Sequence, residues 1–284
     1  MNKRSGLVTI VLAAHNGEKY LKEQLESIRM QSFGAYRFLV CDDASSDSSF
    51  EILKDFLVSS GKSYELIKNE KRVGGKNNFK NLLATVDDDY IMFCDQDDFW
   101  LPKKIEVEME EMKRLELLYP GKPIVVHSDL EVVDADLCTL AYSFFDSQHL
   151  PRKHETLLDQ LVLNNVTGCT MLINRAARDL VLPMPDEAIM HDWWIAAKVR
   201  CQGGVVSVID KPLVKYRQHG SNVIGAKKLG CVGVFQQLMS PWRILKGWKS
   251  IYRQAKAVTP SVTLLDIVRR KVILTLRRLR GTAY

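Results

Sequence analysis

The sequence of 284 residues has few cysteines and no long apolar run. Its six cysteines include no C-x-x-C pair, which argues against a zinc site or a disulfide framework and favours buried, reduced thiols. No stretch approaches the roughly 20 apolar residues that a membrane-spanning helix needs. The first residues also lack the pattern of a cleavable signal peptide. We therefore expect a cytoplasmic globular protein.

Acidic residues are nearly absent from the C-terminal part of the sequence. Eleven Lys and Arg residues and one acid, Asp266, lie between Pro241 and Tyr284, whereas positions 1–240 carry 29 basic and 33 acidic residues. Tryptophans and aliphatic residues alternate with these basic residues, and basic amphipathic helices of this kind bind anionic membrane surfaces. We expect such attachment; a helical appendage that packs on the protein body with a solvated basic face is the alternative. No nucleic-acid motif accompanies the charge, so we expect no nucleic acid partner.

Short apolar runs alternate with segments of helical periodicity over the first hundred residues. The runs predict strands at positions 7–13, 36–41, 64–68 and 90–94, and the nearly all-apolar first run predicts a strand covered on both faces. This rhythm is typical of an α/β fold with a mostly parallel central sheet between helix layers. Glycines between residues 220 and 230 predict a boundary, which divides the chain into a domain of residues 1–225 and a basic helical region of residues 226–284.

Three polar clusters directly follow predicted strands. They are Asn16-Gly17, Asp42-Asp43 and the run Asp95-Gln96-Asp97-Asp98. Ligands of parallel α/β sheets bind beyond the carboxyl ends of the strands, so these clusters predict a site at one edge. Three carboxylates in four residues repel one another unless they are screened, and carboxylate oxygens suit Mg²⁺ or Mn²⁺. The run therefore predicts a metal site; an acidic turn that caps the next helix is the alternative.

Two further motifs contain candidate functional residues. In His191-Asp192-Trp193-Trp194 the carboxyl group lies in an apolar stretch, and desolvation raises its pKa into the range of a general base. The alternative is that Asp192 caps a helix and the tryptophans belong to the core. Arg217 and His219 follow another predicted strand, where they could contact a metal or a diphosphate, although a lone histidine is more often structural.

Together these motifs resemble family 2 of the inverting glycosyltransferases, which have the Rossmann-like GT-A fold. The resemblance covers roughly residues 7–222. The opening V-T-I-V-L-A-A-H-N-G-E-K-Y-L is similar to the first strand of the family and the Tyr-Asn that follows it, with His15 in place of Tyr. The segment C-D-D-A-S-S-D is similar to D-D-G-S-x-D, with Ala44 in place of Gly. D-Q-D-D-F-W corresponds to the metal motif, and H-D-W-W to the E-D-x-x catalytic motif, with His191 in place of Glu.

The resemblance implies a single-displacement transfer from a dTDP- or UDP-linked sugar with Mn²⁺ or Mg²⁺ as the cofactor. It implies that Asp192 is the base, that Trp193 and Trp194 bind the acceptor, and that Arg217 is a weaker metal or phosphate contact. The implied metal ligands are Asp97, Asp98 and His219, with Asp95 in a supporting role. The implied donor-binding residues are Ala13, Asn16, Glu18, Asp42, Asp43, Gly74, Asn78, Asp95 and Gln96.

Within the family, D-Q-D-D-F-W, T-G-C-T-M, H-D-W-W and Y-R-Q-H-x-x-N resemble bacterial rhamnosyltransferases of surface-polysaccharide synthesis. These enzymes use dTDP-L-rhamnose as the donor. The resemblance also implies a lipid-linked oligosaccharide acceptor and a location on the inner face of the cytoplasmic membrane. A UDP-sugar donor is the alternative within the family. A sugar-nucleotide nucleotidyltransferase is another enzyme class, but its Gly-rich G-x-G-T-R loop is absent. A non-enzymatic membrane scaffold is the third alternative.

Overall fold

The computed structural model describes residues 6–219 and 241–280. Within them lie the strands β1 Val8–Ala14, β2 Tyr36–Asp42, β3 Tyr64–Lys68, β4 Tyr90–Cys94, β5 Phe99–Trp100, β6 Ile124–Val133, β7 Thr139–Ala141, β8 Met171–Asn174 and β9 Val205–Arg217. The helices are α1 Glu18–Arg29, α2 Ser49–Ser59, α3 Gly75–Thr85, α4 Lys104–Leu118, α5 Phe144–Ser147, α6 Leu157–Val162, α7 Arg175–Val181, α8 His191–Cys201, α9 Pro241–Val258 and α10 Leu264–Leu279. The predicted boundary near residue 225 lies outside the described residues.

The strands form one mixed sheet in the order β3-β2-β1-β4-β8-β6-β9-β5, and β7 pairs with β6. β1 lies parallel to both β2 and β4, and β2 lies parallel to β3, which confirms the predicted βαβαβ order. β8 is antiparallel to both of its neighbours, β4 and β6. The apolar runs of the sequence at residues 205–209 and 213–216 lie in one strand, β9. β5 and β7 were not predicted, because strands of two or three residues are too short to show a period.

The central strands are apolar because both of their faces are covered. In β1, Val11 belongs to one hydrophobic core, whereas Ile10 and Leu12 belong to the core on the opposite face. Side chains alternate between the faces of a strand, so a strand between two helix layers has no polar side. This layering leaves the carboxyl edge of the sheet as the place where polar side chains gather.

The basic C-terminal region is helical, as predicted, and both of its helices pack on the protein body. Ile251 and Ala255 of α9 and Ile267 and Leu274 of α10 belong to the core that also covers one face of the sheet. The two helices contact each other and α6. Among the residues that the structure describes, no helix combines the length and the apolarity needed to cross a bilayer.

Candidate active site

A cleft of about 1220 Å³ opens at the carboxyl ends of β1, β2 and β4. Its wall is formed by the loops that follow these strands, by residues 164–168 and by the start of α8. Twelve residues singled out from the sequence lie in this wall: Ala13, Asn16, Glu18, Asp43, Gly74, Asn78, Asp95, Gln96, Asp97, Asp192, Trp193 and His219. Motifs that are up to 200 residues apart in the sequence thus meet in one cavity.

Three predicted site residues are buried outside the cleft wall. A carboxylate oxygen of Asp42 accepts from the Ser45 backbone N–H at 3.0 Å. A carboxylate oxygen of Asp98 accepts from the Arg217 N–H at 3.2 Å. The indole N–H of Trp194 donates to the Val181 carbonyl at 2.9 Å. The burial of Asp42 and Trp194 does not fit the direct donor and acceptor contacts that the resemblance implies for them. Asp98 remains a predicted metal ligand, because Asp95, Asp98 and Cys169 offer ligand atoms that all lie within 4.8 Å of one another.

Asn16 and Glu18 tie the loop after β1 to the loop after β2. Asn16 Oδ1 accepts from the Ser46 N–H at 2.8 Å, and Glu18 Oε2 accepts from the Ser48 N–H at 2.9 Å. Asn16 also has a positive φ of 49°, a conformation that asparagine tolerates better than most residues. Both side chains therefore shape the rim of the cleft, besides lying in its wall.

Asp43 holds the loop that contains Gly74. Its carboxylate accepts from the Asn69 amide at 2.8 Å and from the backbone N–H groups of Val73 and Gly74 at 2.8 and 2.7 Å. Burial disfavours the charged form, but these donors outweigh burial and lower the pKa of Asp43. Gly74 has a φ of 86°, which favours glycine. The carboxylate thus stays ionised and fixes this part of the wall.

Gln96 joins the ends of β1 and β4. Its Oε1 accepts from the His15 N–H at 2.7 Å, and its Nε2 donates to the His15 carbonyl at 3.0 Å. Gly17 lies so close that a Cβ there would approach Gln96 Oε1 to 2.4 Å. The amide is therefore engaged with the backbone, and its role in the described structure is to hold the two loops together.

The acidic run concentrates negative charge at the floor of the cleft. Burial and the charges of Asp97 and Asp192 raise the pKa of Asp95 to about 7, and burial with the charges of Asp97 and Asp95 raises that of Asp98 strongly. Asp98 Oδ2 has no hydrogen-bond partner within residues 6–219 and 241–280. The Nε2 atom of His219 lies 2.8 Å from Asp97 Oδ2. Hard oxygen donors that repel one another are a suitable ligand set for a divalent cation.

The side chain of Arg217 holds the backbone of the acidic run Asp95–Asp98 in place. Its guanidinium group is buried and donates to the Asp97 carbonyl at 2.9 Å, to the Ala135 carbonyl and to the Glu23 carboxylate. The weaker metal or phosphate contact that the sequence suggested for Arg217 does not fit a side chain directed into the protein. Its position instead explains how the acidic loop keeps its shape against internal repulsion.

Asp192 lies in the first turn of α8 and is buried. Burial raises its pKa to about 6, although hydrogen bonds from the Trp193 and Gly168 N–H groups and from the Asn164 side chain lower it. The Trp193 N–H lies 2.6 Å from Asp192 Oδ1. A carboxylate with a pKa near neutrality and a fixed orientation is suited to general base catalysis.

Three residues around this carboxylate, Asn164, Gly168 and His191, have no role that the sequence predicts. Asn164 and Gly168 lie beside it and lower its pKa. The His191 ring lies between Phe79 and Phe93, at centroid distances of 4.3 and 4.9 Å, and burial lowers its pKa to about 3, so the ring is neutral. Gly168 stands in the T-G-C-T-M motif, which was a usable signal, whereas nothing near Asn164 in the sequence indicated a role.

The fold and this cleft are those of a GT-A glycosyltransferase, and comparison with known families agrees. The sequence profile of Glycosyl transferase family 2 matches residues 9–180. The chain belongs to this family. Family membership decides against the nucleotidyltransferase and the non-enzymatic scaffold that the sequence left open.

Two curated relatives have names that describe a donor. The chain is 28% identical over 243 residues to the dTDP-rhamnosyl transferase RfbG of Shigella flexneri, with 78% of each chain covered. It is 27% identical over 127 residues to the UDP-Glc:alpha-D-GlcNAc-diphosphoundecaprenol beta-1,3-glucosyltransferase WfgD of Escherichia coli, which covers 44% of this chain and 49% of that one.

Solved structures share the fold at low sequence identity. S. aureus TarS 1–349 in complex with UDP-GlcNAc has a TM-score of 0.63 and 15% identity, covering 97% of this chain and 73% of that one. The mannosyltransferase PcManGT from Pyrobaculum calidifontis, in complex with GDP-Man and Mn²⁺, has a TM-score of 0.61 and 16% identity, covering 96% and 71%. These similarities confirm the predicted fold class.

Proposed function

We propose that this glycosyltransferase inverts configuration and depends on a divalent metal, and that it transfers L-rhamnose from dTDP-L-rhamnose to a hydroxyl of a lipid-linked glycan. In this proposal it works at the inner face of the cytoplasmic membrane, in bacterial surface-polysaccharide synthesis. The observation that carries the chemistry is a buried, oriented carboxylate, Asp192, in the same cleft as the acidic run. The name of the relative that covers 78% of the chain supports the donor.

The acidic run supports a site for Mn²⁺ or Mg²⁺. Asp95 and Asp97 lie in the cleft wall and His219 lies beside Asp97, so these residues would hold the cation. Asp98 accepts from the backbone N–H of Arg217 through Oδ1, and its Oδ2 atom, in a group with Asp95 and Cys169, would add a further ligand. When bound, the cation would neutralise charge on the diphosphate leaving group.

The residues of the chain supply the other requirements of an inverting transfer. Asp192, with a pKa of about 6, is mostly ionised at neutral pH and would take the proton from the acceptor hydroxyl. Asn164 and Gly168 would keep its carboxylate oriented. Trp193, whose indole N–H donates to the Gln160 carbonyl at 2.6 Å, would offer a fixed apolar face to the acceptor.

The base assignment is tested with Asp192→Asn. We expect the release of nucleotide diphosphate with donor and acceptor present to fall by about 10²- to 10⁴-fold, because the amide cannot take a proton. The thermal shift caused by dTDP with Mn²⁺ should remain, since Asp192 contributes to proton transfer and not to nucleotide binding. Asp55→Asn, at an exposed position of α2, is the matched control. Full turnover of Asp192→Asn would overturn the assignment.

The metal site is tested by binding, independently of turnover. Asp97→Asn should remove the part of the dTDP thermal shift that requires Mn²⁺, because the neutral amide is a weaker ligand for a hard cation. An unchanged Mn²⁺-dependent shift would contradict the assignment of Asp97.

The donor is tested with a panel of dTDP-L-rhamnose, UDP-Gal, UDP-Glc and UDP-GlcNAc. The second candidate, a UDP-sugar-dependent transferase, is favoured by the name of the WfgD relative. Turnover with dTDP-L-rhamnose alone is the expected result. Turnover with a UDP-sugar and none with dTDP-L-rhamnose would refute the rhamnosyl proposal and leave the family membership intact.

A further inference from the structure

The helix α10 exposes an apolar stripe on its outward side, while Ile267 and Leu274 on its inward side are buried in the core. Leu265, Val272 and Leu276 are 73%, 43% and 48% exposed, and Leu264 and Leu279 are also exposed. The spacings from Leu265 to Val272 and from Val272 to Leu276 are seven and four residues, so these side chains share one face of the helix. A helix on the surface of a monomer normally buries such a stripe, so its exposure indicates a partner.

The inward side of α10 is held by basic residues. Arg270 pairs with the buried carboxylate of Asp159, Lys271 Nζ donates to the Val162 carbonyl at 2.9 Å, and Arg278 Nη2 donates to the Gln148 carbonyl at 2.7 Å. Burial lowers the pKa of Lys271 to about 8. Three bonds to separate parts of the body fix the rotation of the helix about its axis. The outward position of the leucines is therefore built into the fold.

The neighbouring helix α9 presents basic side chains. Lys246, Lys249, Arg253 and Lys256 are exposed and follow one another at intervals of three or four residues, so they share a face. Both α9 and α10 pack against α6, so their exposed sides point away from the same part of the body. Arg269 and Arg280 of α10, each four residues after an exposed leucine, lie along the edge of the apolar stripe. We call these exposed sides of α9 and α10 the outward face.

We propose that the outward face binds the surface of an anionic lipid bilayer, with the leucines of α10 in the interface and the basic residues against lipid phosphates. Apolar and basic side chains on one face are the combination that such a surface binds. Asp266 is the one acidic residue of α9 and α10, and the basic residues of the outward face outnumber it. A second copy of the chain fits the face less well, because it would bring basic residues against basic residues.

The proposal deepens the proposed function, because the outward face would bring the cleft to a lipid-linked acceptor. Its test needs neither donor nor acceptor. The full chain is sedimented with vesicles of phosphatidylcholine, with and without phosphatidylglycerol. We expect binding to the anionic vesicles that weakens as salt is raised, and little binding to the neutral ones.

Two variants separate the apolar and the basic contributions. Leu265→Gln/Val272→Gln/Leu276→Gln should lower the bound fraction more than ten-fold, because three side chains no longer enter the interface. Lys249→Ser/Arg253→Ser should lower it about five-fold per charge removed and flatten the salt dependence.

The matched controls carry the same changes elsewhere on the surface. Leu117→Gln/Leu118→Gln/Leu140→Gln alters side chains that are 82%, 58% and 61% exposed, and Lys54→Ser/Lys103→Ser removes two exposed charges. Both controls should bind vesicles as the native chain does. Equal melting temperatures would show that every variant is folded.

Two outcomes would overturn the proposal. One is native-like vesicle binding of the triple glutamine variant. The other is a dimer of the native chain without lipid, seen by light scattering, that the same variant dissociates; this would make the face a self-association surface. Vesicle binding without nucleotide diphosphate release from any donor would contradict the proposed function and leave the membrane proposal standing.

Discussion

Substituting Gly168 by alanine tests how the candidate base is held. Gly168 lies beside Asp192, and a Cβ at Gly168 would approach His191 Nε2 to 2.7 Å, His191 Cε1 to 3.0 Å and Asp192 Cβ to 3.8 Å. Both distances to His191 are shorter than van der Waals contact. The His191 ring has little room to withdraw, because the rings of Phe79 and Phe93 pack against it. The backbone at Gly168 or the start of α8 must therefore move, and either movement changes the position of Asp192 relative to the loop at Gly168.

The expected loss is larger in turnover than in stability. Overpacking of this kind costs about 1–3 kcal/mol of unfolding free energy. A displacement of about 1 Å in a reacting group lowers the rate by about 100-fold. We expect kcat for nucleotide diphosphate release to fall by about that factor, with little change in the KM for the donor. Gly247→Ala is the control, because nothing lies within 4 Å of its Cβ position in α9. This variant should gain about 0.5–1 kcal/mol of unfolding free energy, because alanine is favoured over glycine inside a helix.

A double-mutant cycle identifies the clash as the cause. His191→Ala removes the ring that the new methyl group meets, so Gly168→Ala should cost much less kcat in the His191→Ala background than in the native chain. Native kcat in Gly168→Ala, or losses that add fully in the double variant, would refute this account of how Asp192 is positioned.

Three further predictions concern pH and stability. The pKa of Asp192 is raised to about 6, so kcat/KM should rise with pH through about 6 as the base ionises. The Asn164 side chain lowers this pKa, so Asn164→Ala should move the rise in kcat/KM to higher pH. Ala44 has a φ of 56°, so Ala44→Gly should raise the unfolding free energy by up to about 1 kcal/mol, and a lower melting temperature would contradict this. Lys104 Nζ and Glu108 Oε1 form a fully buried ion pair at 2.8 Å. Lys104→Met should lower the unfolding free energy, measured by urea denaturation, by about 3–5 kcal/mol, because it leaves the Glu108 carboxylate buried and unpaired. Adding Glu108→Leu should restore most of this loss.

Much of the fold could be predicted because burial leaves a strong record in the sequence. The strands β1, β2 and β4 are largely apolar on both faces, and the positions of all four predicted strands agree with the structure to within about one residue. The polar clusters after β1, β2 and β4 were expected to meet, because parallel strands end at the same edge. The short β5 and the roles of Asn164 and Gly168 were not predicted, because they depend on contacts between distant segments.

By itself, the sequence determined which chemical groups gather at the carboxyl edge of the sheet. It did not determine which side chain of the pairs Asp42-Asp43 and Asp97-Asp98 faces the cleft. Asp43 and Asp97 lie in the cleft wall, whereas Asp42 and Asp98 do not, and only the folded loops after β2 and β4 decide this. Of the three carboxylates in the run Asp95-Gln96-Asp97-Asp98, those of Asp95 and Asp97 therefore lie in the cleft wall.

The same division applies to the basic region. The sequence determined that α10 has an apolar and a basic side, since both follow from a period of 3.6 residues. Only the tertiary structure decided which side faces outward. Asp159 and the carbonyls of Val162 and Gln148 bind basic residues of α10, and Ile267 and Leu274 enter the core, so Leu265, Val272 and Leu276 stay exposed.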